Sequence, residues 1–389
     1  MAERRTALLA HPGAELYGSD RMLLETVAGL VEHGWRVVLA VPNDGPLVAE
    51  AQLLGADVVF VDVPVLRKSL LRPTALAGTA LSSLAGAVRI ARLLRDVEPT
   101  VVYVSTLTLP LWVAVARARR IPVLCHVHES ERRANRLLRE ALAWPLLLAD
   151  RVVVNSAFSR DGLLEVAPGL TRRSTVVYNG VAGPTEVVPA RHEIDGPLRI
   201  VYVGRLSPRK GPDVVVDALA QLVAAGVDAR LELVGGVYSG YEWYERDLHE
   251  QVERLGLGDR VVFTGFRPSI WSALARADAG VVPSREEEPF GNTAVEAVLA
   301  GRPIVVSAIG GLAEAIDGFA SALPVEPDDP AALAAALTRI ANDWPGFRDD
   351  AARLAPVAAA RFAPERYRRE IAGAIAAVAH VPADEPVLA

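Results

Sequence analysis

The sequence predicts an α/β protein built from two doubly wound parallel-sheet domains, and three observations predict it. At 389 residues the chain is too long for one ordinary core, so two domains of roughly 150–200 residues are expected. Short apolar runs alternate with helix-length segments, the pattern of strands buried on both faces and joined by crossover helices. Midway, residues 182–197 (AGPTEVVPARHEIDGP) break the pattern with Pro, Gly and charge, a linker composition, after which the alternation restarts.

In the first half, strands are expected at Ala7–Ala10, Val37–Val41, Val58–Val61, Val101–Val104, Pro122–Val127, Val152–Val154 and Thr175–Tyr178. Helices are expected between them, for example over Asp20–Glu32 and Ala77–Arg95. The second half repeats the pattern with Leu198–Val203, Leu231–Val234, Val261–Thr264, Ala279–Val282 and Ile304–Ser307. From Pro345 the chain turns Ala- and Arg-rich with helical spacing over Ala359–Ala379, and VPADEPVLA at its end is expected to fray. The expected division is a domain over 1–181, a linker over 182–197, a domain over 198–365, and a helix and tail over 366–389. Ligands of such sheets lie beyond the carboxyl ends of the strands.

Composition narrows the function classes. Hydrophobic residues make up 51% of the chain, and Cys125 is its single cysteine. No disulfide framework is therefore expected, and a reducing compartment is. The apolar stretch Thr6–Ala10 near the start is too short for a signal-peptide core. No apolar run approaches the ~20 residues that span a bilayer, so a cytoplasmic, soluble or peripheral protein is expected. Net charge is −6, unevenly spread: residues 1–190 hold 21 Lys/Arg and 18 Asp/Glu, leaving 20 and 29, so the halves carry +3 and −9. Residues 67–139 hold 13 basic and 4 acidic residues without interleaved aromatics, so nucleic acid is not an expected partner. This excess reads either as solvated helix faces or as a surface that docks on anionic lipid at the inner face of a membrane.

Chemistry concentrates in DAGVVPSREEEPFGNTAVEAVLAGRPIVVSAIGGLAE, which starts at Asp278. A buried strand runs into a charged turn, then Pro289-Phe290-Gly291, then a helix expected over about Thr293–Ala300. Pro289 and Gly291 place Glu288 on the loop and Glu296 in the first helical turn. Free N–H groups and the positive dipole end at such a start suit a phosphate. Two structural readings stand beside this: Thr293 and Glu296 fit a capping box, and Glu286–Glu288 fit a solvated acidic turn. Farther upstream, IVYVGRLSPRKG carries a strand into Gly204-Arg205 and a loop with Arg209-Lys210-Gly211. Cations just before a helix oppose its dipole, and two of them on one loop suit a diphosphate. Leu233-Val234-Gly235-Gly236 and Phe263-Thr264-Gly265-Phe266 end two further strands. In the first half, Gly18-Ser19-Asp20 precedes a helix, where Asp20 would also serve as an N-cap. His126 and His128 of Cys125-His126-Val127-His128-Glu129-Ser130 share a face at a strand end, with no third metal ligand at a recognisable spacing.

Taken together these motifs resemble the retaining glycosyltransferases of family 4. Their Glu-x7-Glu motif stands here as Glu288-Pro289-Phe290-Gly291-Asn292-Thr293-Ala294-Val295-Glu296, and their Gly-Arg…Lys-Gly motif as Gly204-Arg205 with Lys210-Gly211. The resemblance covers about residues 6–365. It implies the GT-B fold: two Rossmann-like domains facing across a cleft, with a C-terminal helix packing back toward the first. It implies transfer of a hexose-type sugar from a UDP- or GDP-sugar to an acceptor hydroxyl on a glycan, a glycolipid or a small molecule, with retention of anomeric configuration. In it Arg205 and Lys210 hold the diphosphate beside Gly204, and the loops at Gly235 and Gly265-Phe266 wall the base. Glu296 takes the ribose hydroxyls and Glu288 a sugar hydroxyl. The amides of Phe290, Gly291 and Asn292 contact the sugar, and those near Thr293 the phosphate. Gly18-Ser19 matches the family's glycine loop near the phosphates, with one glycine where that loop usually has two. His128 matches a histidine beside the donor sugar and the acceptor, with His126 as a core or supporting residue. No Asp-x-Asp motif occurs, so no metal is expected. The nucleotide-sugar would be a co-substrate, and no bound cofactor is expected. The alternatives are a sugar-nucleotide 2-epimerase of the same fold, a non-catalytic sugar-nucleotide sensor, and a glycoside hydrolase using Glu288 and Glu296. The basic loop argues against the last.

Overall fold

A computed structural model describes residues 5–66, 76–130, 132, 134–238 and 240–380, with backbone alone at 76–81. The part of the basic region at 67–75, 131 and 133 and the tail from 381 therefore lie outside the described residues. The chain forms two compact units, one running to Gly180 and resuming at Pro364, the other spanning Val181–Ala363.

The first unit holds strands β1 (Thr6–Ala10), β2 (Arg36–Val41), β3 (Asp57–Phe60), β4 (Val101–Val104), β5 (Val123–Val127), β6 (Arg151–Val154) and β7 (Ser174–Val176). Its helices are α1 (Gly18–Glu32), α2 (Pro46–Leu53), α3 (Leu76–Val97), α4 (Pro110–Ala118), α5 (Arg136–Ala143) and α6 (Ala157–Leu164). The strands order as β3-β2-β1-β4-β5-β6-β7, each pair parallel. Alternation in β1 shows why both faces are apolar. Ala7 and Leu9 join one core cluster, Leu8 and Ala10 the other, and each is fully buried.

In the second unit lie β8 (Leu198–Val203), β9 (Ala229–Val234), β10 (Val261–Gly265), β11 (Ala279–Val282), β12 (Ile304–Ser307) and β13 (Ala322–Val325). Their helices are α7 (Pro212–Ala224), α8 (Glu242–Arg254), α9 (Trp271–Arg276), α10 (Asn292–Leu299), α11 (Gly310–Ala315), α12 (Pro330–Asn342) and α13 (Trp344–Arg361). The order β10-β9-β8-β11-β12-β13 is again wholly parallel. In both sheets the order reverses at a central strand pair, β1/β4 and β8/β11, where doubly wound folds receive ligands.

Three expectations are corrected. The stretch 182–197, read as a linker, is part of the second unit. Arg191 forks onto buried Asp278 at 2.8 and 2.6 Å and takes an N–H from Trp344 on its carbonyl, so its charge is neutralised rather than solvated. Helical spacing over Ala359–Ala379 is divided at Phe362, and Pro364, free of a needed N–H, opens a new helix α14 (Pro364–Val378). That helix packs on α1 of the first unit. Strand β13 has no counterpart among the expected strands, because Pro324 interrupts its short apolar run.

Candidate functional site

In the second unit, β8 and β11 are neighbours, so the loops that leave their carboxyl ends meet. The first passes Gly204-Arg205 and a tight turn at Pro208–Lys210, then Gly211 in the left-handed region at φ 66°. A Cβ there would run into the Pro283 carbonyl, so only glycine lets the two backbones touch. Arg285 binds them side by side. Its N–H reaches the Arg209 carbonyl at 2.9 Å and its guanidinium forks onto Asp213 at 2.7 and 2.5 Å.

That clamp sets Glu288 among cations. Lys210 Nζ lies 2.6 Å from Glu288 Oε1, Arg209 Nη1 lies 3.5 Å away, and Ser284 Oγ donates to the same oxygen at 2.7 Å. Glu288 is only 7% exposed. Burial pushes its pKa up, but Lys210 and then Arg209, with the two hydrogen bonds, outweigh that and hold it below the usual carboxylate range. The acidic-turn reading thus fails at Glu288. From behind, the loop rests on α11: Gly311 N–H donates to the Glu288 carbonyl at 2.7 Å, and a Cβ on Gly310 would crowd the Glu288 backbone.

The helix after this loop starts at Asn292, one residue earlier than expected, with Gly291 (φ 120°) as an N-cap that offers no side chain. The capping-box reading is not realised. Glu296 consequently lies in the second turn, half-buried, and not in the first. Asn292 and Thr293 occupy the first two helical positions, at the positive end of the α10 dipole. Phe290 is buried, its ring edge-on to Phe362 at 5.7 Å, so its side chain belongs to the core. Arg205 points elsewhere than Glu288: its guanidinium lies 3.3 Å over the Tyr238 ring and bonds the phenol. Gly204 and Gly235 let neighbouring strand ends come together, since a Cβ on Gly235 would collide with the Gly204 carbonyl. Gly265 follows a break in the β9–β10 register, and Phe266 stands 70% exposed beyond it.

In the first unit a polar cluster occupies the carboxyl ends of β1, β4 and β5. His11 Nδ1 meets Ser105 Oγ at 2.6 Å, and His11 Nε2 meets Asp20 Oδ1 at 2.6 Å. Asp20 is buried. Desolvation would raise its pKa, but His11 and the Tyr17 N–H hold it low. It is not the N-cap but the third residue of α1, and Gly18 and Ser19 before it are exposed. The His128 ring lies against that of His126, centroids 3.9 Å apart. Burial, then His11, lowers His128 to a pKa of about 3. Glu129 accepts from Thr106 Oγ1 and from the His128 N–H, and burial raises it.

The structure thus joins Lys210 to Glu288 and gathers Gly204, Gly235, Gly265 and α10's start at one end of one sheet. It sets Gly18, Ser19 and His128 at the corresponding end of the other. Sequence reasoning missed His11, Ser105, Ser284, Tyr238 and the Gly310-Gly311 seat. His11 directly after β1 was the one available signal. Among the described residues no group of three His, Cys, Asp or Glu side chains could hold a metal ion, and no helix is long and apolar enough to cross a membrane. Within the described part of the basic region, several arginines meet carboxylates from outside it: Arg89 with Asp62, Arg117 with Asp150, Arg132 and Arg139 with Glu165. Each of these arginines thus has a counter-charge nearby.

Comparison with known proteins gives the same picture. Residues 17–182 match Glycosyltransferase Family 4, and residues 197–343 match Glycosyl transferases group 1. A glycogen synthase of Mycobacterium tuberculosis is 31% identical over 244 residues, covering 59% of this chain and 57% of that one. A D-inositol 3-phosphate glycosyltransferase of Acidothermus cellulolyticus is 32% identical over 227 residues, 55% of this chain and 50% of the other. The chain thus spans between half and three-fifths of the length of these relatives. Anabaena Alr3699/HepE, crystallised with UDP and glucose, superposes with a TM-score of 0.79 at 22% identity, over 94% of this chain and 98% of that one. The lipopolysaccharide-biosynthesis glycosyltransferase WaaG superposes with a TM-score of 0.68 at 15% identity, over 95% and 100%. Both likenesses are of the GT-B fold.

Proposed function

Because the chain belongs to the family 4 glycosyltransferases, we propose that it moves a hexose from a nucleotide diphosphate sugar to an acceptor hydroxyl with retention of anomeric configuration. The observation that carries this reading is the Arg209-Lys210 loop closed on a buried, ionised Glu288. The two cations outnumber the carboxylate, and a diphosphate has the charge to take up the excess. The donor put first is a UDP-hexose, supported by the neighbour of like fold that was crystallised with UDP-glucose.

In the proposed reaction the bond from the anomeric carbon to the β-phosphate oxygen breaks while a bond from the acceptor oxygen forms on the same face. The acceptor's proton passes to the departing phosphate oxygen. Lys210 and Arg205 stabilise the charge that develops there, a role that needs no metal ion. Glu288 orients the sugar through a hydroxyl, Glu296 the ribose, and the amides of Gly291 and Asn292 meet the sugar. Neutral His128 accepts or donates one hydrogen bond beside the reacting carbon. A nucleotide panel tests the donor half. Thermal shifts with UDP, GDP, ADP and TDP, with and without Mg²⁺, should show one nucleotide raising Tm independently of the metal, and Lys210→Ala should abolish that shift. No shift with any nucleotide would sink the donor site and leave the fold standing.

For the acceptor, one observation favours a glycolipid. The first unit carries an apolar cavity of about 230 Å³ lined by Pro64, Leu66, Pro110, Leu111, Trp144 and Leu148, among others. Trp144 is 65% exposed, an amphipathic ring of the kind that settles at a lipid interface. Co-sedimentation with vesicles should then persist at high salt with neutral lipid and fall in Trp144→Ala. Binding that salt alone controls would point to the arginines and a merely anionic surface.

A further inference from the structure

We propose that Asp213, in the first turn of α7, is a positioning residue that fixes the backbone turn from which Lys210 projects. Its use in the reaction rests on the reading of Lys210 as a cation for the diphosphate, and the experiment below separates the two. Asp213 acts through Arg285, and the direction of each bond is set by chemistry, since a guanidinium only donates and a carboxylate accepts. Arg285 gives Nη1–H to Asp213 Oδ1 at 2.7 Å and Nη2–H to Oδ2 at 2.5 Å. The same Nη1 reaches the Pro208 carbonyl at 3.3 Å, and the Arg285 backbone N–H donates to the Arg209 carbonyl at 2.9 Å. Both carbonyls belong to the turn Pro208–Lys210. The Lys210 N–H closes that turn onto the Ser207 carbonyl at 3.0 Å, and Lys210 Nζ stands 2.6 Å from Glu288 Oε1. Where the guanidinium sits therefore decides where Lys210 starts.

Asp213 is itself held from the far side. Tyr244 Oη on α8 donates to Asp213 Oδ1 at 2.5 Å. Gln251, two turns farther along α8, donates to the Asp213 carbonyl at 3.1 Å and to Asp217 at 2.7 Å. Both α8 residues are buried. The carboxylate also stands at the N-terminal end of α7, where the helix dipole favours a negative charge. Arg285 has a second acid, Asp328, which accepts its Nε–H at 2.6 Å, but the two acids are unequal. The Asp328 side chain is 62% exposed and that of Asp213 only 23%, so water replaces the first far more readily than the second. Two oxygens on a planar fork allow one orientation, whereas a single bond leaves the plane free to swing. Asp213 therefore sets the direction of Arg285, and Asp328 is an outer partner.

The sequence makes the test direct. The chain has two lysines, Lys68 and Lys210, so ¹³C-lysine labelling of the full protein gives two Cε signals, and Lys210→Ala identifies the one at issue. A lysine held in one place keeps separate resonances for its two Cε protons, and a freely turning one averages them. Wild-type Lys210 should show the separated pair. Asp213→Asn keeps the side-chain shape but removes the charge and one acceptor of the fork, and the Lys210 pair should collapse to one averaged line. Asp328→Asn should leave it separated. In thermal-shift titrations with UDP and with GDP, the Kd of the nucleotide that binds should rise about tenfold to a hundredfold in Asp213→Asn, the scale of a displaced site group, and by less than about twofold in Asp328→Asn. A role in folding alone would lower Tm and leave both the Lys210 signal and Kd in place. An averaged Lys210 line in the wild type, or a folded Asp213→Asn that keeps the separated pair, overturns the proposal. Should Asp213→Asn fail to fold, Arg285→Lys, which keeps the charge and loses the fork, is read in the same two ways. A collapsed pair with unchanged nucleotide binding supports the positioning of Lys210 and overturns its use for the donor. A wild type silent to both nucleotides overturns the donor reading too, and the lysine signals still decide what Asp213 holds.

Discussion

Glu288 holds two competing relations, to the cations in front of it and to the sugar it is proposed to orient. Its pKa in the fold is depressed below the ordinary value of about 4.3. A depressed carboxylate stabilises the fold fully above that ordinary value, and this contribution is lost as pH falls through the folded pKa. Glu288→Gln keeps a group of the same shape for Ser284 but leaves Lys210 and Arg209 facing no charge, at a cost of about 3 kcal/mol for a broken buried pair. Tm measured from pH 7 to pH 3 should therefore start lower in the variant and decline less steeply below about pH 4.5 than in the wild type. Two parallel curves would mean that Glu288 is not the group that titrates. Ligand binding separates its two relations. With Lys210 released from the carboxylate, bare UDP should raise the variant's Tm at least as much as the wild type's. Release of UDP from UDP-glucose should nevertheless fall. If both are lost together, Glu288 serves the diphosphate loop alone and the sugar contact is wrong.

Among the elements, the strand ends separate glycines that are needed from glycines that are convenient. A Cβ on Gly235 would strike the Gly204 carbonyl, whereas one on Gly265 would meet nothing within 4 Å although φ is 67°. Gly265→Ala should thus cost only about 1 kcal/mol of left-handed strain, and Gly235→Ala clearly more, since two strand ends must also part. Urea denaturation of the two variants checks the order, and equal midpoints would mean that the Gly204–Gly235 contact is soft. Arg302 makes the same point for helices. Almost wholly buried, it donates to the carbonyls of Leu274, Ala275 and Ala277 at the end of α9 and of Ala300 and Gly301 at the end of α10. These are groups a helix leaves unpaired. The elements were largely legible in the sequence because parallel strands buried on both faces are written as continuous apolar runs, such as Ile304–Ser307. The loops proposed to hold the donor were legible for a related reason: Glu288 and Glu296 share one loop and helix, and Arg209, Lys210 and Gly211 are consecutive. What stayed hidden needs contacts across the chain. The Ser105 partner of His11 is 94 positions away, Arg191 reads as linker until Asp278 neutralises it, and nothing local marks Tyr367 as the partner of Thr26, 341 positions off.

At the scale of the whole molecule, the first unit is written in two pieces. Pro364–Val378 contributes Tyr367, Ile371, Ile375 and Val378 to the core cluster that also contains Met22, Val27 and Leu30 of α1. Arg368 adds ion pairs to Glu25 and Glu32, each at 2.6 Å. Burying each of those four large side chains is worth about 1.5–3 kcal/mol, so together they approach the ~5–15 kcal/mol that separates a folded domain from its unfolded chain. Residues 1–180 alone should therefore lack a cooperative urea transition and bind a dye for exposed apolar surface. The two pieces also come close enough to be joined: a Cβ on Gly180 would stand 2.9 Å from Pro364 Cα. A chain of residues 1–180 followed by a short Gly-Ser connector and residues 364–389 omits the second unit without stretching the first. It should unfold cooperatively. It should not respond to UDP in a thermal shift if the diphosphate loop of the second unit holds the nucleotide. A stable, cooperative 1–180 fragment would show that α14 is an accessory to the first unit. A joined chain that is no more stable than 1–180 would show that the core shared by α1 and α14 needs the second unit to form.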